Sequence, residues 1–258
     1  MKSETEGAVN SEPTILHETE SLMVINKPVG WLVHEDGKTE APCVVEWFLG
    51  KVPEASGIGE PGQTKDGEDL DRSGVVHRLD RETSGVLVLA KTQDVYEWLK
   101  EHFQNRTIHK EYRAFVYGRI HDRWGTINRP IGRSPKDSRI RSAMPGAKGN
   151  MREAITDFER IGMGEYKGES FSYLKLMPKT GRTHQLRAHL RALDRPIVGD
   201  GLYAGYKMKD SNNLEIERLA LHSHILEWEL PNGERERFIA PVPQIFEEAA
   251  EKIEEAVE

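Results

Sequence analysis

Val75–Thr92 reads VVHRLDRETSGVLVLAKT. An apolar pair leads into His77-Arg78-Leu79-Asp80, a polar run follows, and Thr83-Ser84-Gly85 opens a second apolar run, Val86–Ala90. Val86–Ala90 is short and rich in Val and Leu, which predicts a central strand. Val75–Leu79 has the same buried character, so Asp80 is expected to emerge at a strand end, with Arg78 and Arg81 beside it. Two readings of Asp80 follow from the residues alone. It can cap a polar turn in which Thr83 and Ser84 bond the backbone, or it can be a reactive acid on a rigid scaffold. A kinase catalytic loop is excluded, because that motif needs His-Arg-Asp and a following Asn, whereas here Leu79 intervenes and Gly85 stands near the Asn position. A metal site is also disfavoured, since His77 and Asp80 lack further ligands at a recognisable spacing.

Outward from this stretch the chain alternates strand and helix signals. Ile15-Leu16 and Leu22–Asn26 predict short strands, Pro28-Val29-Gly30 a turn, and Cys43–Leu49 a short helix. Lys51–Gly74 is rich in Gly, Pro and acids without apolar periodicity, which predicts a mobile insertion over about 51–73. Asp94–Phe103 places Val95, Trp98, Leu99 and Phe103 at helical spacing, and Glu111–Ile120 alternates with Tyr112, Ala114, Val116 and Gly118 on one face. Arg129–Met151 is basic and broken by Gly and Pro, which predicts a loop. Ile155–Ile161, Phe171–Met177 and Leu219–Leu230 predict strands, Thr183–Leu193 a helix capped by Thr183, and Gln244–Val257 an acidic amphipathic helix. The fold class is therefore α+β, a single domain over 15–258 with a mixed, mostly antiparallel sheet flanked by helices, behind a flexible tail at 1–14.

Composition bounds the function. The 258 residues are 37% hydrophobic and 31% charged, an ordinary balance for a globular chain. No window approaches the roughly 20 apolar residues of a membrane span, and the polar, acidic start lacks the core of a signal peptide. A cytoplasmic, membrane-free monomer is the expectation. Cys43 is the one cysteine, so no intrachain disulfide can form and thiolate metal sites are disfavoured. The net charge of −7 hides an asymmetry. Lys100–Arg195 carries 21 Lys and Arg against 10 Asp and Glu, leaving 15 bases and 33 acids elsewhere. A local field of that sign suits a polyanionic partner whatever the overall charge.

Lys179–Leu190 reads KTGRTHQLRAHL, with Arg187 and Arg191 four apart on one helix face. Such a face can hold a carboxylate or grip phosphates, and it can equally be a surface helix with ordinary ion pairs. HRLDRETSG together with KEYRAFVYG, KTGRTHQLRAHL, RPIVGDGLY and LALHSHILEW resembles the RluA-like family of RNA pseudouridine synthases, in the usual order and spacing. The likeness runs from about Ile15 to Phe238. Departures are the acidic Lys51–Arg72 insertion and His-Ser-His at 222–224, and no separate N-terminal RNA-binding module is expected.

The resemblance implies an isomerase that converts uridine in ribosomal or transfer RNA to pseudouridine, with no cofactor and no metal. By the family's motifs Asp80 is the catalytic carboxylate, Arg187 its partner cation, and Tyr112 the ring that stacks on uracil and helps deprotonate carbon 5. Leu186 walls the pocket and Arg78 contacts RNA near the flipped nucleotide. His77 and Thr83 are expected to hold the loop, and Arg182 to lie beside the substrate. Arg139 and Arg141, with Arg129, Arg133, Lys136 and Lys148, are candidates for the RNA backbone. The alternative is a catalytically inactive RNA-binding protein on the same fold.

Overall fold

The computed structural model describes residues 11–37, 39–63, 67, 69–137, 139–205, 212–230 and 232–254. They fall into two compact units, one drawn from Met1–Thr107 with Phe238–Ala240, the other from Ile108–Arg237 with Pro241–Glu258. Each combines helices with mostly antiparallel strands, as an α+β reading expects. No helix among the described residues is long and apolar enough to cross a membrane.

In the first unit β1 (Thr14–Glu18) and β2 (Leu22–Lys27) form a hairpin, followed by α1 (Val44–Lys51) and a 3₁₀ turn at Pro53–Ala55. A short hairpin of β3 (Gly62–Gln63) and β4 (Asp69–Leu70) precedes β5 (Ser84–Ala90) and α2 (Gln93–Asn105). β2 pairs antiparallel with β5, Leu22 opposite Ala90 and Lys27 opposite Gly85. Every residue of β5 is buried, which is why its sequence is a continuous apolar run rather than an alternation. The Thr92 hydroxyl caps α2 by accepting from the Val95 N–H, and Arg106 closes it in the left-handed region at φ 62°. The stretch after Lys51 lacks periodicity because it is tied by polar contacts to α2. Gly59 N–H donates to Gln93 Oε1 at 2.8 Å, and Lys100 pairs with Glu60 at 2.6 Å.

Val75–Leu79 is not a strand, contrary to the expectation from its sequence. Only Val75 bridges to β5, opposite Leu89. The Val88 N–H that a longer ladder would engage donates instead to His77 Nε2 at 3.1 Å. A side chain has displaced a backbone partner, and the chain turns away. Asp80 thus sits in a turn ahead of β5 rather than at a strand end.

The second unit is built on β6 (His109–Tyr117), β7 (Trp124–Asn128), β11 (Ile155–Tyr166), β12 (Glu169–Pro178) and β13 (Leu221–Glu229), with antiparallel order β13-β6-β12-β11-β7. Its residues Arg235–Arg237 begin β14 (Arg235–Ile239). Phe115, Phe171, Leu174 and Leu176 from these strands meet Leu186 and Leu190 of α3 (Gln185–Ala192) and Phe246, Ala249 and Ile253 of α4 (Gln244–Glu254) in one buried core. The basic stretch Arg129–Met151 is not a loop. It forms a three-stranded antiparallel sheet of β8 (Ile131–Arg133), β9 (Arg141–Ser142) and β10 (Lys148–Arg152), with β8 in the middle. Its Gly and Pro residues punctuate strands too short to show alternation in the sequence.

Candidate active site

The turn that carries Asp80 is fixed from several sides within the first unit. Thr83 N–H donates to the Asp80 carbonyl at 3.0 Å, closing the turn, and Thr83 itself is buried. The next carbonyl, that of Arg81, accepts from Gly30 N–H at 2.9 Å and from Lys27 Nζ at 3.2 Å. Lys27 is fully buried, and its ammonium also bonds the carbonyls of Pro28 and Trp31, each at 2.9 Å. A buried cation is tolerable when its donors are all directed at acceptors, and here it locks one turn onto another. His77 accepts from Val88 N–H through Nε2 and stacks on Phe103 with ring centroids 4.5 Å apart. Arg78 is exposed, Leu79 buried and Asp80 half-buried.

In the second unit α3 begins at Gln185, two residues later than expected. Thr183 is exposed and makes no cap; His184 precedes the helix in the left-handed region, φ 53°, with no side-chain cap bond. The first turn is satisfied by Gln185 instead. Its Oε1 accepts from Arg182 N–H at 3.1 Å and from the Thr180 hydroxyl at 2.7 Å, and its Nε2 donates to Ile155 O and Thr156 Oγ1. His189 is fully buried between Thr156 Oγ1 and the Arg129 carbonyl, each at 2.9 Å. Burial holds its pKa below the ordinary histidine value. The carbonyl requires a donor at Nε2, so the neutral ring accepts from Thr156 at Nδ1.

Arg187 is buried and held as a fork. Its Nε donates to Asp200 Oδ2 at 2.8 Å and its second terminal nitrogen to Oδ1 at 2.7 Å. Oδ1 also accepts from the N–H groups of Leu202 and Tyr203. The guanidinium lies over the Tyr203 ring, 4.9 Å from its centroid. Leu186, beside Arg187 on the helix, is buried in the same core against which half-buried Tyr112 of β6 packs. Arg182 Nε donates to the Glu153 carbonyl at 3.1 Å. Arg141 lies on β9, while Arg139 folds onto Asp137 with a closest contact of 2.7 Å. That pairing holds the Asp137 carboxyl down at about 2.

His77, Arg78, Asp80 and Thr83 thus share one turn of the first unit, and Tyr112, Arg182, Leu186 and Arg187 surround α3 in the second. Lys27, Asp200 and Tyr203 have structural claims that the sequence reading did not single out. A lysine ending the apolar run LMVINK, and an acid framed by glycines in VGDGLY, are signals that could have found the first two.

Residues 21–192 match the family model described as RNA pseudouridylate synthase. The chain is 37% identical over 244 residues to an uncharacterized RNA pseudouridine synthase of Synechocystis, covering 93% of this chain and 68% of that one. It is 32% identical over 248 residues to the ribosomal large subunit pseudouridine synthase D of Vibrio vulnificus, covering 93% and 70%. Among solved structures, human RNA pseudouridylate synthase domain containing 1 superposes with a TM-score of 0.70 at 26% identity, covering 93% of this chain and 86% of the other. Human RNA pseudouridylate synthase domain containing 4 gives 0.66 at the same identity, with 93% and 92% covered. This chain belongs to the RNA pseudouridine synthases, a family of isomerases.

Proposed function

We propose that this protein isomerises uridine to pseudouridine in RNA of the large ribosomal subunit, with Asp80 as the essential carboxylate. The observation that carries the reading is the family match over residues 21–192, a span that includes both the Asp80 turn and the Arg187 helix. The ribosomal substrate rests on the Vibrio relative and on others of the same name at similar identity. Transfer RNA is the other substrate to be tested.

The reaction breaks the bond from ribose to N1 of uracil, turns the base, and rejoins the sugar to carbon 5, whose hydrogen leaves as a proton. Asp80 serves as nucleophile or as stabiliser of positive charge at the sugar, and either role needs an ionised carboxylate on a rigid support. The Lys27 and Thr83 bonds supply the support. Arg187 is the cation of the site, and its fork on Asp200 removes the rotamer freedom that would otherwise be lost when substrate binds. Tyr112 offers an aromatic face to uracil, Leu186 an apolar wall, Arg78 and Arg182 charge toward the neighbouring phosphates, and His77 holds the loop. The target base must leave its stack at a cost of a few kcal/mol, which contacts to the RNA backbone offset.

The test is release of tritium from RNA labelled at carbon 5 of uridine. A synthase releases the label to water and leaves the RNA mass otherwise unchanged. Free uracil would instead mean hydrolysis, and RNA binding without release an inactive module on this fold.

A further inference from the structure

The three strands of the small sheet line up three bases in register. Lys148 of β10 stands opposite Arg133 of β8, and Arg133 stands opposite Arg141 of β9. Directly opposed residues share a face, with strands about 4.8 Å apart. Arg133 and Lys148 are exposed and Arg141 is half-buried. None of the three makes an ion pair among the described residues, whereas Arg139 nearby is quenched by Asp137. Like charges directly opposed are unfavourable in the free protein, so such a row suits a polyanion that neutralises it. Strand alternation puts Arg133 on the face of Ile131, and Ile131 is buried in a small cluster with Ala143, Ala154, Ala188 of α3 and Tyr203. The row therefore continues the surface of the sheet that packs on α3.

Tyr203 joins that surface to Arg187. Its hydroxyl oxygen accepts from the Arg141 backbone N–H at 2.9 Å and shares a 3.0 Å hydrogen bond with His184 Nδ1, while its ring lies beneath the Arg187 guanidinium. We propose that Lys148, Arg133 and Arg141 form a track for the RNA phosphate backbone, and that Tyr203 is a positioning residue fastening this track to the helix of Arg187. The identity of the polyanion as RNA rests on the function proposed above. Tyr203 would act by fixing where the strand runs relative to the guanidinium, not by touching the reacting base.

Two measurements separate the parts. The first is binding of a fluorescent oligouridylate across a salt series, which needs no turnover. Arg133→Gln and Lys148→Gln should each flatten the slope of log affinity against log salt by about 0.7. Arg235→Gln, on β14, should leave it unmoved, and equal slopes in all variants overturn the track. The second is steady-state tritium release. Tyr203→Phe keeps the ring and removes the hydroxyl, so KM for RNA should rise about fivefold, the worth of one hydrogen bond, with a smaller effect on kcat. Tyr203→Leu also removes the ring beneath Arg187 and should lower kcat about tenfold. A Tyr203→Phe protein that loses kcat while KM stays put has merely lost active molecules, and that result overturns the positioning role. Absence of tritium release by the unmodified protein would refute the proposed function while leaving the salt series to decide on the track.

Discussion

At the scale of single residues, charge and hydrogen-bonding capacity can be separated at two carboxylates. Asp80→Asn is nearly isosteric and leaves the backbone bond from Thr83 intact. On the proposed mechanism it abolishes tritium release while leaving oligouridylate affinity within a few fold, because the charge serves chemistry. Appreciable turnover by the purified variant would remove Asp80 from its role. Asp200 is a different case, since it faces Arg187 at 2.7 Å with both groups almost wholly buried. Asn at 200 can still accept from Leu202 and Tyr203 N–H, but it strands a buried guanidinium without its counter-charge. The expected cost is about 3 kcal/mol, read as a lowered urea midpoint at constant slope. An unchanged midpoint would mean that another group compensates Arg187.

At the scale of elements, the segment that delivers Asp200 depends on a single glycine. Gly199 has φ +71°, and a Cβ there would overlap the Arg218 carbonyl oxygen. Gly199→Ala should therefore cost about 2 kcal/mol of stability and should lower kcat along with it, by shifting the Asp200 carboxylate. A variant as stable as the parent would show that the 197–200 segment can yield. The same elements explain what was legible in the sequence. β5 and α2 were readable because burial on both faces and a 3.6-residue stripe leave strong periodic signatures. The paired motifs around Asp80 and Arg187 were legible as a family resemblance, carried by HRLDRETSG and KTGRTHQLRAHL in order and spacing. The Val75–Leu79 segment misled because its apolar residues line a turn, Leu79 buried and Val75 and Val76 half-buried, with His77 rather than backbone meeting Val88. The small sheet was hidden because strands of two to five residues with exposed bases carry no apolar alternation. Thr183 looked like a cap, but Gln185 captures the donors and acceptors at that end of α3. Asp200 and Tyr203 belong to a segment without helix or strand periodicity, so the glycines framing Asp200 are its one sequence signal and Tyr203 is identified by its contacts alone.

At the scale of the whole molecule, acid stability should decline in two windows with separate origins. His189 is buried and its pKa is held below 6.5 by desolvation. A histidine depressed in the folded state leaves the unfolded chain binding the proton first. Stability is therefore complete above about pH 6.5 and falls as pH drops below it. The second window belongs to Glu215. Lys167 Nζ and Lys252 Nζ each reach its carboxylate at 2.8 Å and the Tyr166 hydroxyl at 2.6 Å, tying the β11–β12 hairpin to α4. Lys167, then Lys252, then Tyr166 bring its pKa down from 4.5 to about 2. Here the contribution is present above pH 4.5 and is lost as pH falls through about 2. Because the group is exposed, salt should weaken this second contribution and leave the first nearly untouched. Urea midpoints measured from neutral to acid pH can tell the two apart. His189→Gln should shrink the decline that begins near pH 6.5, to which half-buried His34, also held below 6.5 by burial, contributes as well, and Glu215→Gln should soften only the fall below 4.5. If Glu215→Gln leaves the fall below pH 4.5 unchanged, the coupling of α4 to the hairpin is not electrostatic.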